Sequence, residues 1–368
     1  MADTTVASAN RVQQWADDEF YEYIRESPLK SLLGSDQGAI VQVKEELTKE
    51  AGDRITFSLV TRLTGGGVTD DASLEGNEEV LSNYGHQVTV GQLRHGVVVG
   101  SFEKIKTKID LLKAAKHMLK EWNREQLRDL ILARMLSPVT NGLTTYAAAT
   151  EAQKDAWESA NNPTDANQRI LFGTAKASST LDHSAGLAEI DGTNDDMHQD
   201  IVRQIKRMAQ SADPHIRPVT TKGKDAGKAR FVLLMGSLAF RDLQGNLDTI
   251  HTSADVRGED NNIFQGGDIM VANVVCKEVP EMDRTTSTTG GCLISGVGAS
   301  SIDVGATFLL GAQAVFLAWA QRMQVKTDEF DYENKRGVAV AEIRGCEKAN
   351  YNSIQHGMAT CYVSAVAD

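Results

Sequence analysis

No lysine occurs in residues 50–103, and neither Lys nor Arg lies between Arg62 and Arg94. That gap holds a glycine triplet, in "TGGGVTDDASLEGNEE", residues 64–79. A phosphate cradle needs backbone N–H groups at a helix start, and usually a cation. Here Asp70, Asp71, Glu75, Glu78 and Glu79 follow the glycines, and no Gly-Lys-Ser/Thr completes a Walker loop. The acids also miss the alternating register of an EF-hand calcium loop. What remains is the tip of a long hairpin.

Other absences narrow the chemistry. Cys276, Cys292, Cys346 and Cys361 lie far apart with no CxxC pair. Neither a zinc ribbon nor a thioredoxin-type site is suggested, and scattered thiols suit a reducing cytosol. HExxH, GxSxG and GxxxxGK(S/T) are all missing. The eight histidines never fall at metal-ligand spacing. "GVGASS", residues 296–301, begins like a dinucleotide fingerprint but has Ser301 where the third glycine belongs, and reads as a turn. No cofactor, metal or catalytic residue is expected. "MADTTVASAN" has no basic start and no apolar core, so it is not a secretory signal. The uncharged run at 304–321 contains Gln313, Gln321 and two glycines, and reads as a buried core element rather than a membrane span.

The 368 residues are 41% hydrophobic and 24% charged, a globular composition with room for two or three domains. A net charge of −12 argues against coating nucleic acid by overall charge, while leaving a local basic face open. Residues 12–33 carry Trp15, Phe20, Tyr23 and Ile24 at helical spacing, predicting a short helix that stops before Pro28 and leads into an extended arm. That helix could pack on its own domain or grip a neighbour. Residues 54–63 and 86–99 alternate as strands around a polar, glycine-rich connection, predicting a long hairpin. A two-stranded hairpin alone is marginal in water, so a second domain or another copy of the chain must cover it.

Residues 103–136 lack Gly and Pro and place Ile105, Ile109, Leu112, Ala115 and Trp122 on one stripe, predicting a long helix that ends before Pro138. Residues 138–190 are polar and read mostly as surface connection, with "RILFGTA" the one strand-like run. A helix is predicted over 195–212, a buried strand at 231–236, and a helix from Ser237 as N-cap to Gly245 as stop. Strand-like runs and turns alternate thereafter, an α+β order. Arg203, Lys206, Arg207, Arg217, Lys222, Lys224, Lys228 and Arg230 form a basic cluster with few acids. It is either a solvated loop or a docking surface for an acidic partner, another subunit's acidic loop or nucleic-acid phosphates.

This order of parts resembles the HK97-like fold of tailed-phage major capsid proteins. "GDRITFSLVTRLTGGGV", "SLEGNEEVLSNYGHQVTVGQLRHGV", "FVLLMGSLAFRDL", "LLGAQAVFLAW" and "FDYENKRGVAVAEIRGCEKANYN" are similar to the N4-type subgroup. The resemblance implies an N-terminal arm at 1–45, an E-loop at 46–102 and a P-domain at 103–194 with a spine helix at 103–136 and a variable insertion at 138–190. It implies an A-domain at 195–304, a P-domain return at 305–350, and a final A-domain strand at 351–368. Inter-subunit contacts are then expected at Trp15, Phe20, Arg62, Leu63, Asp70, Asp71, Leu74, Glu75, Glu78, Glu79 and Arg94.

The expected partners are copies of the chain itself, in hexamers and pentamers of an icosahedral shell. Portal, scaffold and decoration or cement proteins are implied too, with nonspecific contact to packaged double-stranded DNA and no membrane. The expected location is the virion, assembled in the host bacterial cytoplasm. No scaffolding region is expected ahead of the arm. Related shells crosslink through an E-loop lysine; with no lysine in residues 50–103, no such isopeptide bond is expected here. The alternatives are an encapsulin-like protein compartment and a cytosolic α/β enzyme.

Overall fold

Uninterrupted apolar runs such as "FVLLM" belong to strands covered on both faces, and the structure places them at the centre of the larger of two units. The structure is a computed structural model that describes residues 28–45, 52–70, 73–107, 109–138, 144–164, 167–174, 181–219, 229–251 and 269–367. Trp15, Phe20, Asp71, Lys108, Lys222, Lys224 and Lys228 lie outside the described residues.

The larger unit comprises Pro28–Gly91, Gln126–Arg322 and Ile343–Asp368. Its main sheet has seven strands, ordered Ile170–Phe172, Met358–Ser364, Val304–Leu310, Phe231–Met235, Val274–Glu278 and Ile269–Val271, with Leu293–Ile294 paired to Val304–Leu310. Parallel and antiparallel pairs mix: Val304–Leu310 runs antiparallel to all three of its partners, whereas Phe231–Met235 and Val274–Glu278 are parallel. Strand alternation sends Val232, Leu234, Phe308, Leu310 and Tyr362 to one face. There they meet Ile131, Leu132 and Met135 of the long helix Leu111–Leu136. Phe231, Leu233, Leu309 and Cys361 face the other side, against Ile201, Ile205 and Met208 of helix Gln199–Ser211 and Phe240 and Leu243 of helix Ser237–His251. All four cysteines are free and buried.

Several expectations change here. Residues 28–45 are not all a free arm. Leu29, Leu32, Ile40 and Val41 are core residues, and Val41–Lys44 pairs in parallel with Val315–Ala318. The polar stretch 138–190 is not mostly surface. It contains helix Glu151–Asn161, strand Ile170–Phe172 and helix His183–Ala188, and buries Trp157, Glu158, Arg169 and His183. Its polar residues look like surface in sequence because their partners are distant: His183 lies 2.9 Å from the Tyr146 hydroxyl and 3.5 Å from the Glu158 carboxylate. Ile170–Phe172 and Val304–Leu310 are strands of this main sheet. Gly245 does not stop its helix, since buried Ala239, Phe240 and Leu243 outweigh the ~1 kcal/mol cost of an interior glycine. Ser237 is the first helical residue, and its N–H donates to the Asp283 carboxylate at 2.6 Å, so a distant acid supplies the cap.

The smaller unit comprises, among described residues, Gln92–Glu125 and Met323–Glu342. The run 103–136 is two helices, Ser101–Lys106 and Leu111–Leu136. Thr107 is extended and its hydroxyl accepts the Ile109 N–H, while the Asp110 carboxylate accepts the Lys113 N–H. Local side-chain acceptors therefore compete with the helix and divide it. The start of the long helix packs Leu119 with Val338 and Val340, joined by Leu112, Trp122 and Met323. Val338 and Val340 belong to the long strand Lys335–Lys348, which neighbours Val315–Phe330 in a five-stranded sheet. At its turn Asp331, Tyr332 and Glu333 are all left-handed.

Candidate assembly surface

The hairpin exists, but with different bounds. Arg54–Val60 pairs antiparallel with Asn83–Thr89, and residues 61–82 form its tip. The predicted strand 86–99 is split. Val90 donates its N–H to Asp53 at the end of the ladder, and Gly91–Gly100 joins the five-stranded sheet beside Lys335–Lys348.

The stem does not depend on a neighbour for cover. Ile55, Phe57 and Val88 point to one face and pack on Phe316, Ala318, Ala349 and Tyr351 of the same chain. Phe57 stacks on Phe316 with ring centroids 4.1 Å apart. His86 lies 3.0 Å from the Glu347 carboxylate, both buried. Gly345 lets the stem approach: a Cβ there would lie 2.2 Å from the Thr89 carbonyl oxygen. Of the covers expected for the hairpin, the body of the same chain supplies the one for the stem. Its missing signal is distance along the chain, since Phe57 and Phe316 meet only after folding.

The tip is different. Leu63, Leu74, Val80 and Leu81, with Val60 at the end of the stem, are all exposed, Val80 by 85%. Apolar side chains gathered in this way on one excursion make the tip the candidate interaction surface. The glycines here do hold an anion, but an internal one. The Glu79 carboxylate accepts the Thr64 and Gly65 N–H groups, each at 2.7 Å, and the Thr64 hydroxyl at 3.1 Å. The Thr64 and Gly65 N–H bonds are the main reason its pKa lies below the ordinary value. Glu78 accepts the Gly76 N–H at 2.8 Å. Asp70 and Glu75 remain exposed.

Arg62 is not free for a neighbour in this conformation. It meets Asp213 of the same chain at 2.6 Å. Arg94 falls in Gly91–Gly100, away from the hairpin sequence. The described part of the basic cluster is dispersed. Arg203 pairs with Asp200 at 2.9 Å, the Lys206 ammonium donates to the Ala272 carbonyl, and Arg207 is exposed on the same helix. Arg217 lines a pocket beneath the hairpin, whereas Arg230 is half-buried at the start of a strand. Asp213, Glu347, Phe316 and Tyr351 are the contacts that sequence reasoning missed. No groups of His, Cys, Asp and Glu among the described residues could hold a metal ion. No helix among them is long and apolar enough to cross a membrane.

A mixed α+β body, an outstretched hairpin and a long helix define an HK97-like shell protein. The chain belongs to the phage capsid protein family, which it matches over residues 3–365. It is 26% identical over 352 residues to the major capsid protein of Pseudomonas phage KPP25, covering 92% of this chain and 90% of the relative. The capsid of cyanophage Pam1 superposes with a TM-score of 0.88 at 33% identity, covering both chains fully. The capsid of Ralstonia phage GP4 shares the fold, with a TM-score of 0.73 at 23% identity over 100% of this chain and 99% of that one. The chain is thus a bacteriophage major capsid protein and a virion component. Its relatives are structural shell proteins, not enzymes.

Proposed function

We propose that copies of this chain assemble as hexamers and pentamers into an icosahedral shell around double-stranded DNA, and that the hairpin tip clasps the adjacent subunit. The observation that carries this reading is the exposure of Val60, Leu63, Leu74, Val80 and Leu81 on one excursion whose stem is anchored. Fixing the stem lowers the ordering cost of contact, while the tip offers the apolar area that association needs. Asp70 and Glu75 supply charge at its margin, for cationic groups of the neighbour. The chain acts as a structural protein without catalysis. Assembly takes place in the host cytoplasm, with portal, scaffold and decoration or cement proteins as partners. The acidic balance suits a wall that touches its DNA only weakly and without sequence preference. Placement in the N4-type subgroup rests on the sequence stretches quoted above.

The test is assembly by the purified chain, alone and with the phage's other head proteins. Sedimentation and negative-stain microscopy should show closed shells in at least one of these mixtures. Val80→Asp combined with Leu81→Ser should abolish shells and leave a folded subunit with an unchanged circular dichroism spectrum. Normal shells from that variant would remove the tip from the interface. Nuclease-protected DNA in phage particles separates this reading from a protein-cargo compartment.

A further inference from the structure

Beyond the buried stem, the hairpin stands off the body. A pocket of about 590 Å³ lies beneath it, lined on one side by Val60, Val80 and Tyr84 and on the other by Ala312, Tyr351 and Ile354. One polar contact spans this gap. Among the described residues, Arg62–Asp213 is the single hydrogen bond or ion pair that the tip, residues 61–82, makes with the body. The other bonds of the tip are internal, such as Thr61 to Ser82 and Asn77 to Leu74.

Asp213 is itself held in place. Its N–H donates to the Asn167 amide oxygen at 3.1 Å, and its carbonyl accepts from the Asn167 amide nitrogen at 2.9 Å. Arg169 fixes both sides of this loop, donating to the Asn167 amide oxygen at 2.9 Å and to the Pro214 carbonyl at 2.7 Å. Arg169 is fully buried, and its own N–H donates to the Asn161 carbonyl at the end of helix Glu151–Asn161. Burial pulls its pKa down to about 10, and the nearby Asp213 charge opposes that pull. A chain of hydrogen bonds therefore runs from a core helix to a carboxylate presented at the surface, opposite the one arginine of the tip.

We propose that Asp213, held by Asn167 and Arg169, is a positioning residue: its pair with Arg62 is a salt-sensitive strut that sets the pose of the hairpin tip before a neighbour is met. The pair is more than half exposed on both sides. Exposed pairs of this kind are weak and screened by salt. The strut therefore biases the tip without locking it, and a neighbour can displace it. Asp213→Asn leaves both main-chain bonds to Asn167 in place and removes the charge alone. The proposal rests on the shell reading only for its consequence in assembly; the strut itself is tested on the single subunit.

The experiment measures the distance between spin labels on Ser73→Cys in the tip and Gln210→Cys on helix Gln199–Ser211, in the full chain kept dilute. The four native cysteines are buried and do not compete for label. At about 0.05 M salt the unmutated strut should give one narrow distance distribution, and Asp213→Asn should widen it about two-fold. At about 0.5 M salt the two should converge. Arg62→Asp should widen the distribution, and adding Asp213→Arg to it should narrow it again. Unchanged thermal melting shows that the variants fold. Identical distributions with and without Asp213→Asn at low salt would overturn the proposal, whatever the chain does in assembly. A double reversal no narrower than the single one would do the same.

Discussion

Lys348 carries an ammonium group into a nearly closed interior, where it is 4% exposed. It donates to the Ser137 carbonyl and lies 4.6 Å from the centre of the Trp157 ring. Burial pulls its pKa from 10.5 down to about 7. Below pH 7 both folded and unfolded chains hold the proton, and the folded chain bears the full cost of the buried charge. Between about 7 and 10.5 the unfolded chain still binds the proton that the folded chain has lost, so stability rises with pH. Lys348→Met should therefore be more stable than the parent at pH 6.5, by about 1–4 kcal/mol, with the advantage shrinking towards pH 10. Urea denaturation of both chains across that range checks it. Arg128 is the opposite case. It lies 2.8 Å from Asp129 and 3.0 Å from Glu281, all buried. Arg128→Met leaves the Glu281 carboxylate without this cation and Asp129 with Arg284, 3.5 Å away, and should cost about 3–5 kcal/mol by the same measurement.

At the scale of the element, the hairpin is two materials: a stem with a core and a tip without one. Phe57→Ala should cost about 3–5 kcal/mol and speed hydrogen exchange in 54–60 and 83–89, leaving 231–235 protected. Gly345→Ala should do the same by driving a methyl group into the Thr89 carbonyl. Protection retained in both variants would show that the stem is held by something other than its face. The alternation of Ile55, Phe57 and Val88 made the hairpin legible from sequence, because a period of two needs only local reading. "FVLLM" was legible for another local reason, an unbroken apolar run of strand length. The division at Thr107 was not, since a threonine in a good helical stripe differs from its neighbours only in where its hydroxyl points. Nor were Arg169, Glu158 and His183: polar residues look like surface until their distant partners are known. The exposed apolar tip was half legible. Its position was marked by glycines and acids, but Glu79 folding back on Gly65 and Arg62 reaching Asp213 depend on three-dimensional approach.

For the whole molecule, the absence of lysine from residues 50–103 bears on how a shell is fastened. A wall joined by contact alone should dissolve in hot detergent to single chains near 39.9 kDa, and a covalent ladder on denaturing gels would contradict this. The sulfur atoms bear on what happens after release. Burial pushes the Cys346 and Cys361 thiols up to about 12 and Cys292 higher still, so thiolate, the reactive form, is scarce as well as enclosed. A colorimetric thiol reagent should count none in the native chain and four once it is unfolded. A particle in aerated water thus presents no thiol for oxygen or peroxide to attack, and its weathering outdoors should fall first on other atoms, such as the half-buried thioether sulfurs of Met118, Met270 and Met323.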